Sequence, residues 1–273
     1  MRDALAYEWV RIRTVRSTWL LSVLSLVLTA LPALAITLNP ATGTPLQQGE
    51  SFRVVGDQEA YALVLTAGAQ LAPLLMGLLG AFAFGHEYRY GTMRTALTAL
   101  PVRDRLGAAK VLVVALWAAV VGVLGVLVSV TVLLLFRGDR YQAGVRLTEA
   151  TTLRVALGVV LYVVLIALLG LALCWLFRNV PAAVAVLLVT PLVVEPLLRA
   201  LLSLNVLEPI SGIGRYLPYG AGSRLYAYSS RLDPEVPAAF RNDLSPLAGG
   251  LTLALVVAAL VAAAHVLFRR RDA

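Results

Sequence analysis

The chain has 273 residues, of which 60% are hydrophobic and 14% are charged, and its mean hydropathy is +0.84. A soluble domain carries about a quarter charged residues, so the composition excludes an ordinary soluble protein and indicates an integral membrane protein. The net charge of +8 comes from 22 arginines and one lysine against 15 acids. Because the arginines lie at the edges of apolar runs, they indicate contact with lipid headgroups rather than with nucleic acid.

Cysteine and histidine contribute little to the functional prediction. Cys174 is the single cysteine and lies in an apolar run, so it predicts a small buried side chain and excludes an intramolecular disulfide. His86 and His265 are far apart in sequence and have no matching ligand set. We therefore expect no metal site.

Six apolar segments are long enough to cross a bilayer, which takes about 20 residues. Continuous apolar runs of this length form helices rather than barrel strands, so the predicted fold is an all-α transmembrane bundle in a single domain, 1–273. The Ala33-Leu-Ala35 pattern that ends the first segment resembles a signal cleavage site, but the length of the segment favours a retained anchor. The six predicted spans cover 18–38, 61–84, 111–136, 155–177, 182–204 and 247–268.

The first residues, 1–17, predict a basic amphipathic helix in the headgroup region, although the first span could simply begin early. Leu5, Trp9 and Ile12 recur at helical spacing, whereas Arg11 and Arg13 fall elsewhere on the helical wheel. The arginines of this helix, of the second-to-third connection and of the C-terminus place both termini in the cytosol by the positive-inside rule.

Two later connections have distinct signatures. The connection 178–181 is so short that spans four and five must form an antiparallel hairpin, with Pro181 near the start of span five. The segment 205–246 interleaves tyrosines with glycines and predicts a re-entrant region of short broken helices in the outer leaflet.

Glu195 and Arg199 are the clearest charges inside a predicted span, and they are spaced i and i+4. Intramembrane charges normally face protein or water. The pair could neutralise itself along one helix face, or it could line a substrate path, particularly if Pro196 kinks the helix. The sequence leaves both roles open.

The chain carries no recognisable catalytic or nucleotide-binding motif. It lacks G-x-x-x-x-G-K-[ST], and its one lysine, Lys110, follows no phosphate-binding loop. It also lacks the G-x-S-x-G and H-E-x-x-H patterns. We therefore expect no cofactor on this chain and no ATP hydrolysis by it alone.

The charged segment 85–110 separates spans two and three. Gly91 can end one helix, Thr92 can cap the next, and 93–100 can form a short helix that stops at Pro101. This arrangement predicts a helix–turn–helix step beside the membrane, which would serve either as a docking element or only as a topogenic signal.

Glu87-Tyr88-x-x-Gly91-Thr92, together with Arg94, Pro101-x-Arg103 and Lys110, resembles the corresponding segment of ABC type-2 (ABC-2) exporter permeases. The basic N-terminal helix, the six spans and Leu217-Pro218 extend this resemblance over essentially the whole chain. The resemblance implies a coupling helix that receives a separate ATPase. The coupling residues it implies are Glu87, Tyr88, Gly91, Thr92, Arg94, Pro101, Arg103 and Arg105.

The resemblance also implies the partners and the location. Two soluble ATP-binding subunits would hold ATP and Mg²⁺, and a second permease subunit, in a homodimer, would complete a pathway for a drug, antibiotic, natural product or lipid. The protein would lie among the lipids of a bacterial cytoplasmic membrane and contact no nucleic acid. Candidate pathway residues are Gln70, Met76 and Phe82. The alternatives are a membrane-integral enzyme that acts on lipids with Glu195 or Glu87 as its acid or base, and a scaffold or sensor subunit that transports nothing.

Overall fold

The computed structural model describes residues 1–38, 57–92, 103–137, 149–227 and 244–270. Within these ranges every regular element is helical, as the composition predicts. A π-helical turn, Thr190–Val194, joins α7 to α8, and two 3-10 helices, Asn205–Tyr216 and Ser223–Tyr226, flank α9. The helices are α1 (Arg2–Thr14), α2 (Arg16–Leu38), α3 (Asp57–Thr66), α4 (Ala72–Tyr90), α5 (Arg103–Arg137), α6 (Ala150–Phe177), α7 (Val180–Val189), α8 (Glu195–Leu202), α9 (Pro218–Gly222) and α10 (Pro246–Arg270).

Five helical stretches among the described residues are long and apolar enough to cross a membrane. They correspond to the first, third, fourth, fifth and sixth predicted spans. Their bounds are Arg16–Leu38, Asp104–Phe136, Ala150–Phe177, Val180–Leu202 and Pro246–Arg270.

The second predicted span, 61–84, is two helices rather than one. α3 ends at Thr66, and α4 begins at Ala72 with Pro73 in its first turn. Proline has no N–H to continue a helix, so it fits the start of α4 better than the interior of a continuous span. At the break, Gly68 lies directly against Thr29 of α2, where a Cβ would come within 2.5 Å of the Thr29 hydroxyl.

α6 forms the centre of the bundle, and it crosses α4 at backbone contact. A Cβ on Gly80 would overlap the carbonyl oxygen of Ala167, and one on Gly170 would overlap that of Gly77. Gly77 and Gly80 are three residues apart rather than the four of G-x-x-x-G, so their spacing alone is only a weak indication of helix packing. The structure shows that these glycines permit the close approach of α4 to the central helix.

The two ends of the chain lie at the same end of the bundle. α1 packs against the beginning of α5. The last turns of α10 reach the same region, where His265 Nε2 and Arg269 Nε lie 3.4 and 3.5 Å from Asp104 Oδ1.

The hairpin between α6 and α7 has the predicted form. Arg178 adopts a left-handed conformation with φ 54°, and the Asn179 side chain accepts a hydrogen bond from the Ala182 N–H. Pro181 follows in the first turn of α7, where a missing N–H costs nothing.

Three predicted features fall wholly or partly outside the described residues. These are most of the connection between the first and second predicted spans, which the sequence predicts as an exposed loop over 39–59 and of which 39–56 lies outside the described residues, the short coupling helix at 93–100, and the last part of the re-entrant region at 228–243. The described part of that region, 205–226, does consist of short helices, as its glycines and prolines predict.

Candidate functional site

The only lysine lies at the centre of a buried ion network. Lys110 Nζ is 2.7 Å from Glu8 Oε1 of α1 and 2.6 Å from Glu87 Oε1 of α4, and it also donates to the carbonyl oxygen of Ala83 at 3.0 Å. Glu8, Glu87 and Lys110 are all buried. The network therefore joins three helices that meet where the charged segment leaves the bundle.

A fourth charge completes this network. Arg11 Nε donates to Glu8 Oε2 at 2.8 Å, so two cations face two carboxylates. The ammonium group of Lys110 also lies 5.0 Å from the centre of the Phe84 ring, which offers further favourable contact for a desolvated cation. Loss of one partner from such a buried network leaves an uncompensated charge, at a cost of about 3–5 kcal/mol.

Local helix geometry explains why these side chains meet. Ala4, Glu8 and Ile12 are spaced by four residues and form the buried face of α1. Trp9 and Val10, by contrast, are exposed. The sequence analysis predicted a helix in the headgroup region from the spacing of its apolar residues and gave no role to Glu8.

Glu87 and its neighbours end α4. The Oε2 atom of Glu87 is buried and has no hydrogen-bond partner among the described residues. The Arg178 guanidinium group lies 5.9 Å from the centre of the Tyr88 ring. Gly91 then ends the helix at φ 66°, a conformation that favours glycine, and Thr92 is exposed.

The other predicted coupling residues lie just beyond this point. Arg94 and Pro101 fall outside the described residues. α5 begins at Arg103, and Arg105 is exposed in its first turn. The ion pair between Glu87 and Lys110 therefore joins the last turn of α4 to the beginning of α5.

Glu195 binds the segment that follows span five. Its Oε1 and Oε2 atoms accept hydrogen bonds from the backbone N–H groups of Tyr219 at 2.7 Å and Gly220 at 2.9 Å. Arg199 Nη2 lies 3.8 Å from Glu195 Oε2, and its guanidinium group packs on Gly220, where any Cβ would overlap it. The charged pair therefore holds α9 against α8, and we call these contacts the Glu195 latch.

A tyrosine hydroxyl completes the latch. Pro191 has no N–H to donate to the carbonyl oxygen of Leu187, four residues earlier. The Tyr219 hydroxyl donates to that oxygen instead, at 2.9 Å. The helix passes Pro191 through the π-helical turn, in which the Glu195 N–H reaches the carbonyl oxygen of Thr190.

A family model described as "ABC-2 family transporter protein" matches residues 4–193. This match covers well over half of the chain. The chain belongs to the ABC-2 transporter family. No curated protein and no solved structure matches it significantly.

ABC-2 family membership confirms the resemblance drawn from Glu87-Tyr88-x-x-Gly91-Thr92. It implies a multi-pass membrane protein that is a permease component of an ABC transporter, associates with an ABC ATP-binding subunit and is not itself the enzyme. The matched residues include the whole ion network of this ABC-2 protein. Glu195, Arg199 and α9 lie beyond the matched residues, whereas Leu187, which accepts the hydrogen bond of the Tyr219 hydroxyl, lies within them.

The three candidate pathway residues of this ABC-2 protein do not lie close to one another or line one cavity in the described part of the structure. Gln70 is exposed at the break between α3 and α4, Met76 is fully buried in the core, and Phe82 is half-buried and stacks on His86 with ring centres 5.2 Å apart. Sequence reasoning missed Glu8 and the role of Lys110. Two features of the sequence could have indicated them. Glu8 lies on the same helical face as Ala4 and Ile12, and Lys110 is the one lysine in a chain that otherwise uses 22 arginines as its cations.

Proposed function

We propose that the protein is the permease subunit of an ATP-driven exporter and that force from its ATPase enters the bundle through the Lys110 ion network. In this proposal two copies form the substrate pathway, two ATPase subunits bind from the cytosol, and the cargo is a drug, antibiotic, natural product or lipid. The membrane is the bacterial cytoplasmic membrane. α3, the break and α4 together make the second of six crossings.

The observation that carries this proposal is the position of Lys110. Glu87 and Lys110 lie on either side of the predicted docking segment, and their ion pair fixes its two ends to each other. Glu8 attaches α1 to the same point. A push on the segment would therefore move α1, α4 and α5 together rather than bend one loop.

The termini support the proposed orientation. α1, the start of α5 and the end of α10 share one end of the bundle, and this end carries the exposed Arg13, Arg105 and Arg270. Such an accumulation of arginine favours the cytosolic side.

The lipid-enzyme alternative is less well supported by the contacts of the two carboxylates it needs. Glu195 is engaged by two backbone N–H groups, and Glu87 pairs with a buried lysine. A general acid or base has to reach its substrate, whereas both groups serve helix packing. No contact favours the scaffold or sensor alternative over transport.

Charge reversal at the docking segment tests the proposed function. Arg105→Glu, alone or with Arg103→Glu, should lower substrate-stimulated ATP hydrolysis and export by at least about tenfold, because like charges at an interface cost several kcal/mol and about 1.4 kcal/mol already corresponds to tenfold. The measurement is ATP hydrolysis and substrate uptake by inside-out vesicles that contain the permease and its ATPase.

Arg270→Glu is the matched control. It reverses one exposed arginine at the same end of the bundle but at the end of α10, and it should leave both activities near wild type. Equal losses in Arg105→Glu and Arg270→Glu would contradict docking at the segment. Wild-type transport in both Arg105→Glu and the double variant would do the same.

A further inference from the structure

A small internal cavity lies beside the break between α3 and α4. Every residue that lines it is buried. Its volume is about 20 Å³, measured as the space open to the centre of a water molecule. A cavity needs about 10–15 Å³ on this measure to hold one water, so this cavity has room for a single water molecule and for no larger ligand.

The cavity lies at the depth of the hydrocarbon region. Its lining includes Thr29 of α2, a helix that is long and apolar enough to cross a membrane. Thr29 lies 13 residues after the start of α2 at Arg16 and 9 residues before its end at Leu38. At 1.5 Å per residue, these separations are roughly 20 and 14 Å along the helix, so the headgroups lie well away on both sides.

The break leaves backbone groups beside this cavity without partners. The Ala69 N–H donates to the carbonyl oxygen of Thr66 at 2.9 Å rather than to that of Leu65, four residues earlier. Pro73 has no N–H to donate to the carbonyl oxygen of Ala69. Within the described residues, the carbonyl oxygens of Leu65 and Ala69 accept no hydrogen bond, and the Gly68 N–H donates none. Such groups are costly where outside water does not reach them.

Proline leaves a similar gap in α7, and there the chain fills it. The Tyr219 hydroxyl donates to the carbonyl oxygen of Leu187, which has lost its usual helical donor to Pro191. At Ala69, no side chain in the described part of the chain takes this role. A small donor held in the cavity would satisfy this carbonyl oxygen instead.

Two hydroxyl groups of α2 also line the cavity, and their hydrogens are already used. Ser25 Oγ donates to the carbonyl oxygen of Ala72 at 3.2 Å, and Thr29 Oγ1 donates to that of Ser25 at 2.9 Å. Each hydroxyl oxygen still has lone pairs that can accept a hydrogen bond. The lining therefore combines acceptors from α2 and from the break with the N–H of Gly68.

We propose that this cavity binds one water molecule, which completes the hydrogen bonding of the broken span. The water donates to two of the oxygens around it, from the set Leu65, Ala69 and Thr29, and accepts from the Gly68 N–H. Buried waters typically make about three such bonds. α3 and α4 can then form one interrupted crossing with its backbone groups paired. This role needs only membrane insertion and is independent of the ATPase and of the direction of transport.

The chemistry of the lining favours water over a metal cation. None of the described residues that line the cavity is acidic. The Gly68 N–H offers a hydrogen where a cation requires a lone pair. Water uses both kinds of partner, because it donates and accepts.

X-ray radiolysis of the full-length chain in lipid nanodiscs, in water enriched in heavy oxygen, tests the site. Radicals formed from a bound water react with the side chains that contact it, and mass spectrometry locates the heavy oxygen. Leu65 and Pro73 should take up this label although both are buried. Leu171, which is fully buried in α6, should take up at least about tenfold less, because apolar sites in a protein core stay dry.

Thr29→Val and Thr37→Val form a matched pair of variants. Both threonines are buried in α2, and each donates to a carbonyl oxygen four residues earlier, at 2.9 and 2.7 Å. Only Thr29 lines the cavity. Thr29→Val should lower the label on Leu65 and Pro73 about threefold through loss of one hydrogen-bond acceptor, whereas Thr37→Val should leave it near wild type.

Gly125→Ala should remove the label by filling the cavity. Its Cβ would lie 3.7 Å from Thr29 Oγ1, which is ordinary contact, so the variant should fold. Label on Leu65 and Pro73 no higher than on Leu171 would overturn the water site, as would unchanged label in Gly125→Ala. Equal losses in Thr29→Val and Thr37→Val would assign the label to a loosened α2. Label that falls when sodium chloride replaces choline chloride would overturn water in favour of a sodium ion.

Discussion

At the scale of single residues, Lys110 is the cation that holds the buried ion network together. It is fully buried, yet it lies within 2.7 Å of one carboxylate and 2.6 Å of another. Desolvation of a lysine is unfavourable, so the position is tolerated only because both carboxylates are present.

We predict that Lys110→Met lowers the free energy of unfolding by about 3–5 kcal/mol, because buried Glu87 then loses its cation and only Arg11, which is paired with Glu8, remains in the network. Thermal or denaturant unfolding of the purified chain in detergent measures this loss. The triple variant Glu8→Gln, Glu87→Gln and Lys110→Met removes the three fully buried charges and leaves only Arg11, whose side chain is partly exposed, so it should recover most of the stability. A triple variant as unstable as Lys110→Met would show that packing around residue 110, rather than charge, is the cause.

The ion network also shows what the sequence could predict at this scale. The Glu87-Tyr88-x-x-Gly91-Thr92 pattern contains one member of the network, and Gly91 ends its helix, as the sequence predicts, in a left-handed conformation. Glu8 lies 102 residues from Lys110 along the chain. No local pattern contains such a pairing, because it depends on how α1 folds back onto α5.

At the scale of helices, the Glu195 latch decides how the segment after span five is held. Glu195 and Arg199 do share one helix face, as their spacing predicted, but the shorter contacts of Glu195 are with backbone N–H groups of α9. The sequence could not supply these partners, because they lie 24 and 25 residues away and belong to a five-residue helix.

We predict that Glu195→Gln accelerates hydrogen exchange at the Tyr219 and Gly220 amides about tenfold, because a neutral amide oxygen replaces two charged acceptors and about 1.4 kcal/mol of protection is lost. Exchange measured by mass spectrometry on peptides that cover 217–222 tests this. Arg199→Gln is the control, since Arg199 Nη2 lies 3.8 Å from Glu195 and makes the weaker contact. Unchanged exchange in Glu195→Gln would mean that Tyr219 and Leu187 alone hold the segment.

Helix lengths and helix breaks differ in how well hydropathy predicts them. Apolar length located α2, α5, α6 and α10 closely, because each is continuous through its apolar run. The same criterion joined α3 to α4, since residues 67–71 are also mostly apolar. Pro73 was the local signal for that break, as Pro191 and Pro196 were for the π-helical turn.

At the scale of the whole molecule, the network and the latch lie on different parts of the bundle and connect to it differently. The network joins α1, α4 and α5, and α4 in turn crosses the central α6 at backbone contact. The latch joins α8 to α9, and Arg154 of α6 donates to the carbonyl oxygen of Ala227 at 2.7 Å near the end of the same segment. α6 is therefore one element through which the two regions can influence each other, and α7 is another, because Leu187 packs against Gly77 of α4.

The ion network could transmit force between helices, or it could only stabilise the fold. Because it joins three helices, a variant without its buried charges can separate these two roles. Charges fix the relative position of three helices through directional contacts, whereas apolar contacts of similar volume let helices slide. The triple variant Glu8→Gln, Glu87→Gln and Lys110→Met should therefore fold and bind the ATPase while losing coupling. We expect export per ATP hydrolysed to fall about tenfold, within the usual 1–3 kcal/mol range of coupling free energies.

The measurement is simultaneous ATP hydrolysis and substrate uptake in vesicles that contain the ATPase and either wild-type or triple-variant permease. Glu195→Gln, which leaves the network intact, provides the comparison for a general loosening of the bundle. Loss of coupling in the triple variant, with retained folding and ATPase binding, would locate force transfer at Lys110. Wild-type coupling in the triple variant would instead assign the network to folding alone, and force would then have to reach α6 through the packing of α4 at Gly77 and Gly80.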